Sequence, residues 1–183
     1  IFWSSGKFMK IEKSTHPYKP FIPKDATKLI IGTIPPQRFC TKNRSLKNKD
    51  VRFYYGSADN SFWKLIEDVF KIKLNYDNTE KPISERQEFL ESINTGITDI
   101  IKSCRHFDGK SSDNELKEIE YKEIIKLLEA HPKIDTLIYT SEIIKSHMYR
   151  ITGKTHSKKK KKKLFSINLN GKQFEVRILY SPS

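Results

Sequence analysis

Residues 53–63, FYYGSADNSFW, crowd flat rings around one carboxylate, Asp59, and one carboxamide, Asn60. A positioned carboxylate can take a proton or act as an electrostatic partner. Asp and Asn are also favoured first residues of helices, so either can cap the helical pattern that follows, and a capping residue is well held for chemistry. Tyr54 and Tyr55 sit in a loop ahead of that pattern, where they can wall a pocket or pack inside. Phe62 and Trp63, on its first turn, read as core. Elsewhere the residue types that do chemistry are sparse. His16, His106, His131, His147 and His156 are scattered, and none has metal-ligand spacing with Cys40, Cys104 or another histidine. No Gly-rich phosphate loop, nucleophile elbow or cofactor fingerprint is present, which argues against a small-molecule α/β enzyme.

The elements that must position these residues follow from the apolar pattern. LIIGT, 29–33, is a β-branched run that stops at a glycine, a buried strand feeding a loop. TLIYT, 136–140, is a second such strand. LFSINLNGKQFEVRILY, 164–180, folds as two strands around Asn170–Gly171, a strong hairpin signal. GITDIIKSC, 96–104, reads as one short β-like stretch. Phe62, Leu65, Ile66, Val69 and Phe70 recur at helical spacing, and Ser84 with Gln87 forms a capping box for a second helix to about Asn94. Residues 114–130 are expected as a third helix, on Leu116, Ile119, Ile124, Leu127 and Leu128, with a fourth over 142–151. THPYKPFIPKDAT, 15–27, is an extended lead-in, and Pro35 and Pro36 block helix in the basic stretch 34–52. Such alternation predicts an α/β domain with a mostly parallel central sheet. Ligands of such sheets bind at the carboxyl ends of strands, where the loops GTIPP, TSE and SPS would converge.

At 183 residues the chain suffices for one domain with a real core, and 36% hydrophobic and 11% aromatic residues exclude a disordered protein. Met9 opens a natural-looking start, MKIEKSTHPYKPF, so residues 1–8 read as tag or upstream sequence and 9–183 as the domain. No apolar run approaches a membrane span, and two cysteines are too few for a disulfide framework, so a reduced cytoplasmic setting is the simplest expectation. Thirty-five Lys and Arg stand against 22 Asp and Glu, a net charge of +13 that attracts polyanions, nucleic acid first among them. A lysine bias from an AT-rich genome accounts for the same excess. The run Lys158–Lys163, within a basic loop over 154–163, reads as a solvated segment.

Taken in order, GTIPP after a buried strand, YYGSADNSFW opening a helix, GITDIIKSC, IDTLIYTSE and YSPS resemble the uracil-DNA glycosylase superfamily, most closely its hypoxanthine- and mismatch-type branch. The resemblance covers about residues 16–183. It implies a three-layer α/β/α fold and a monomer that excises a damaged base from DNA with no metal or cofactor. It matches Asn60 to the water-positioning residue of that branch, with Asp59 as base or electrostatic partner. A flipped base needs flat walls, which Tyr54 and Tyr55 would supply, with Phe39 a further candidate. Gly32 and the backbone amides of Thr33 and Ile34 would grip the base, with Thr140 and Ser141 at its edge. Ser141 can equally cap the next helix. Ser181 and Ser183 would donate to phosphate, Pro182 would stiffen their loop, and Arg105 would bind phosphate, support the pocket or form a structural ion pair. The sequence departs from the family pattern in two places. No residue of GTIPP is a general base, and hydroxyls at Thr140 and Ser141 stand where several relatives carry an amide. These departures keep a rival open, a non-catalytic nucleic-acid binding protein on the same fold.

Overall fold

The computed structural model describes residues 11–41, 44–107, 116–153 and 163–179. The run predicted at 29–33 is indeed a strand. It lies second from one edge of a five-stranded sheet made of β2 (Lys28–Gly32), β3 (Thr95–Asp99), β6 (Thr136–Tyr139), β7 (Leu164–Leu169) and β8 (Lys172–Ile178), in the order β3-β2-β6-β8-β7. The first four neighbours run parallel, and only the β7–β8 hairpin is antiparallel. The remaining strands, β1 (Ile11–Thr15), β4 (Ile101–Phe107) and β5 (Lys117–Tyr121), form a separate antiparallel sheet in the order β1-β4-β5.

Successive side chains of a strand face opposite sides, so the apolar strands feed two cores. Ile30, Ile97 and Ile138 pack on one side with Phe62 and Trp63 of α2 (Phe62–Phe70) and Leu90 of α3 (Lys81–Ser92). Leu29, Ile31, Leu137, Tyr139, Val176 and Ile178 pack on the other with α4 (Ile124–Ala130) and α5 (Ile143–Thr152). The result is the expected three-layer α/β/α arrangement. The chain lays down β2 first, places β3 on one side of it and returns to place β6 on the other. The strand order therefore reverses at β2, and the crevice at its carboxyl end is where such sheets bind ligands.

Several expectations are corrected. GITDIIKSC is two strands in two sheets: β3 ends at Asp99, and after Ile100 the chain turns into β4. The helix expected over 114–130 is β5 followed by α4, with residues 114 and 115 outside the described set. Ile119 and Tyr121 turn inward while Glu120 turns out to Lys102 and Ser103 of β4, a period of two that overrides the helical spacing. α3 starts at Lys81 with Pro82 in its first turn, and Ser84 is one turn inside, its Oγ donating to the Glu80 carbonyl. The stretch after Pro35–Pro36 holds a short helix, α1 (Gln37–Cys40), because a proline obstructs the helix behind it and not the one ahead. On α2 the expected stripe is rotated. Phe62 and Trp63 are buried, whereas Leu65 and Val69 are 53% and 72% exposed.

Candidate active site

Gly32 ends β2 at the switch point, and two side chains crowd its Cα. A Cβ there would lie 2.1 Å from the Tyr55 hydroxyl and 2.2 Å from Asp99 Oδ1. The same hydroxyl donates to Thr140 Oγ1 at 2.7 Å, and Thr140 Oγ1 in turn donates to the Ile31 carbonyl at 3.3 Å. Tyr55 thus bridges the carboxyl ends of β2 and β6 across the crevice. It reaches there from a tightly closed loop. The Val51 amide donates to the Gly56 carbonyl at 2.7 Å and the Gly56 amide to that of Phe53 at 3.0 Å, forcing Tyr55 into the left-handed region at φ 55°. Its ring lies over Phe62, centroids 4.6 Å apart. Behind Gly32 the loop is held to the start of β4, with the Ile100 and Ile101 amides donating to the Gly32 and Thr33 carbonyls. Ile34 packs partly buried against the larger core.

Asp99, at the carboxyl end of β3, is buried, and His16 Nε2 donates to its Oδ2 at 2.9 Å. The other ring nitrogen of His16 meets the Tyr18 backbone. Lys122 stands nearby, its Nζ 3.4 Å from the Tyr18 carbonyl and 5.7 Å from the Tyr54 ring centre. Burial pulls the Lys122 ammonium down to about 8, against the opposing pull of Asp99. Neither Asp99 nor His16 was among the residues singled out from sequence. Asp99 ends β3, but reading 96–104 as one stretch places it in mid-strand and hides that position. His16, 83 residues away, carried no signal.

The aromatic block divides. Tyr54 is buried, its hydroxyl donating to the Lys19 carbonyl at 3.0 Å and its own carbonyl accepting from Trp63 Nε1 at 2.7 Å, so it is a core residue beside His16. Asn60 does not cap α2, whose N-cap is Ser61; its Oδ1 accepts from the Phe62 amide at 2.8 Å in an Asx turn just before the helix, while its Nδ2 has no partner among the described residues. Asp59 is exposed and gripped by Lys47 Nζ at 2.6 Å and Arg38 at 3.1 Å. The Lys47 ammonium, with Arg38, holds its carboxyl below the usual range, which suits charge balance better than proton uptake.

Beneath this block lies Asp50, fully buried, accepting from Arg38 at 2.7 and 2.8 Å and from the Lys47 and Ala58 amides. Ser141 does not cap α5; the N-cap is Glu142, which ion-pairs with Lys145 and Lys163. Arg105 lies on the antiparallel sheet, exposed and paired with Glu118 at 2.8 Å. Ser181, Pro182 and Ser183 lie outside the described residues, as does the lysine run up to residue 162. Among the described residues no group of three or more His, Cys, Asp or Glu could hold a metal, and no helix is long and apolar enough to cross a membrane.

The three-layer α/β fold has a counterpart among solved structures. The chain superposes on the solution NMR structure of a Methanosarcina acetivorans protein described as a "putative Uracil DNA glycosylase", with a TM-score of 0.58 and 18% identity over 95% of this chain and 86% of that one. The fold is therefore shared with that protein. No family model matches the chain, and no curated protein matches it.

Proposed function

We propose that the chain is a DNA glycosylase that hydrolyses the N-glycosidic bond of a deaminated or mismatched base of the hypoxanthine or uracil type. The observation that carries this reading is the assembly of Gly32, Tyr55, Thr140 and the Asp99–His16 pair at the switch point of the sheet. Bond cleavage builds positive charge on the sugar, and a buried carboxylate next to the crevice is placed to steady it. Asn60, held by its Asx-turn bond just ahead of α2, has an amide group to hold the attacking water. Tyr55 supplies a ring at the mouth, and Ser141, next to Thr140 whose hydroxyl is engaged by Tyr55 and Ile31, meets the base edge. Because hydroxyls both donate and accept, they set base identity less sharply than a fixed amide.

The test is release of free base from oligonucleotides carrying uracil, hypoxanthine, xanthine or a mismatched thymine. Release from one of them is the expected result and names the substrate. Asn60→Ala should abolish release while binding DNA nearly as well as wild type, since loss of the one Asx-turn hydrogen bond costs only about 1 kcal/mol. Retained release by that variant would remove Asn60 from the reaction. The rival reading, a non-catalytic binder, is favoured by one observation: Asn60 Oδ1 is committed to the helix and Asp59 to two cations. It predicts binding at low salt with no release from any lesion.

A further inference from the structure

Beside the strand edge, the stretch that carries α1 encloses a cavity of about 750 Å³. Arg38, Arg44, Arg52, Tyr18, Phe39 and Cys40 are among the residues that line it, and no Asp or Glu lines it among the described residues. The cations are not equivalent. Arg38 is spent on Asp50 and Asp59, and its guanidinium carbon stands 5.2 Å from the Phe39 ring centre, so it stiffens one wall. Arg44 pairs with Glu12, at 3.2 Å, on the rim. Arg52 is exposed and has neither a carboxylate nor a hydrogen-bond partner among the described residues. Tyr18 and Cys40 are uncharged, burial pushing the Cys40 thiol up to about 12. The cavity thus offers the positive charge of Arg52 at one side and the aromatic residues Tyr18 and Phe39 at another. That combination fits a phosphate joined to a planar base, because guanidinium groups pair with phosphate oxygens and aromatic rings stack on any base. Its size is in the range of small-ligand sites.

The cavity also abuts the proposed active site. Arg38 holds Asp59, the neighbour of Asn60, and the Tyr18 backbone is the seat of His16. We propose that this cavity binds a phosphate-bearing nucleotide adjacent in the strand to the one at the switch point, with its phosphate at Arg52 and Arg44 and its base against Tyr18 and Phe39. The strand as the source of that nucleotide rests on the glycosylase reading, whereas the phosphate-and-base chemistry of the cavity does not.

The experiment follows a fluorescent single-stranded oligonucleotide by anisotropy across a salt series, for wild type, Arg52→Gln, Arg44→Gln and Lys133→Gln. Arg52→Gln removes no contact within the described protein and should fold normally. Lys133, paired with Asp25 before β6, makes the same charge change at the opposite end of that strand. Each arginine variant should bind roughly fivefold more weakly at about 0.1 M salt and flatten the log–log salt slope by about 0.7, while Lys133→Gln changes neither. Arginine variants that bind like wild type overturn the site. Deoxyadenosine monophosphate is the competing probe. If it displaces the oligonucleotide only where Arg52 is intact, and binds as tightly as the oligonucleotide, the chemistry stands and the strand is rejected as its source. A wild type that frees no base from any lesion yet shows the Arg52 dependence rejects the glycosylase reading and supports the cavity. Base release with binding indifferent to Arg52 does the reverse.

Discussion

Gly32 tolerates no side chain because two polar groups, each fixed elsewhere, close on its Cα. The Tyr55 hydroxyl is tied to Thr140 and Asp99 to His16, so a new methyl cannot be accommodated by swinging one flexible end away. Gly32→Ala should therefore destabilise the fold by about 3 kcal/mol, the sum of an overpacking cost and a lost buried hydrogen bond. Denaturant midpoints check this. Tyr55→Phe removes the nearer of the two oxygens, so the double variant should lose less than the sum of the singles, a coupling that independent sites do not show. At this scale the sequence was half legible. Gly32 and Thr140 could be read from their places at strand ends. Between the two aspartates, position within FYYGSADNSFW pointed to Asp59, yet it is Asp99 that the fold buries at the crevice. A carboxylate's environment is set by what folds against it, and Lys47, Arg38 and His16 come from distant parts of the chain.

The loop between α1 and α2 is built around Asp50, and its behaviour belongs to the element rather than to any one contact. Burial alone would raise the Asp50 carboxyl, but Arg38 and the Ala58 and Lys47 amides outweigh that and hold it below the ordinary carboxylate range. A depressed folded value means the contribution is fully present above about pH 4 and is lost as pH falls through the lower folded value. Asp50→Asn should cost about 2–3 kcal/mol at neutral pH, since it removes the bidentate partner of Arg38, which keeps Asp59 and Ser57. Chemical denaturation at several pH values should show the gap between wild type and Asp50→Asn narrowing below about pH 4. A gap independent of pH would mean that Asp50 acts by shape alone. Element identity itself was legible where one period dominated, as in β2, β6 and the Asn170–Gly171 hairpin. It failed at 114–130, where Ile119, Ile124 and Leu127 fit a helix by spacing while pairing with β4 decided the first half. No local pattern in KEIEY announces that partner strand.

For the whole molecule, the net charge of +13 has two explanations with different consequences. A compositional lysine bias scatters cations without regard to the fold, and their binding of DNA would be weak and indifferent to where they sit. A working interface concentrates them. Arg38, Arg44, Lys47 and Arg52 lie in one stretch of the chain, but Arg38 and Lys47 hold Asp59, Arg44 holds Glu12, and Lys145 and Lys163 hold Glu142 just beyond the end of β6, so the number of phosphates neutralised separates the two. Counterion release from duplex DNA makes log Kobs fall with log salt at a slope of about −0.9 for each phosphate neutralised. With Arg52 and Arg44 as the phosphate contacts, a slope of about −1.8 and a loss of roughly tenfold in affinity between about 50 and 200 mM salt are expected. Anisotropy on an undamaged duplex measures it directly, because the term is independent of sequence. A slope shallower than about −1 would assign the charge to composition and leave recognition to the groups at the switch point.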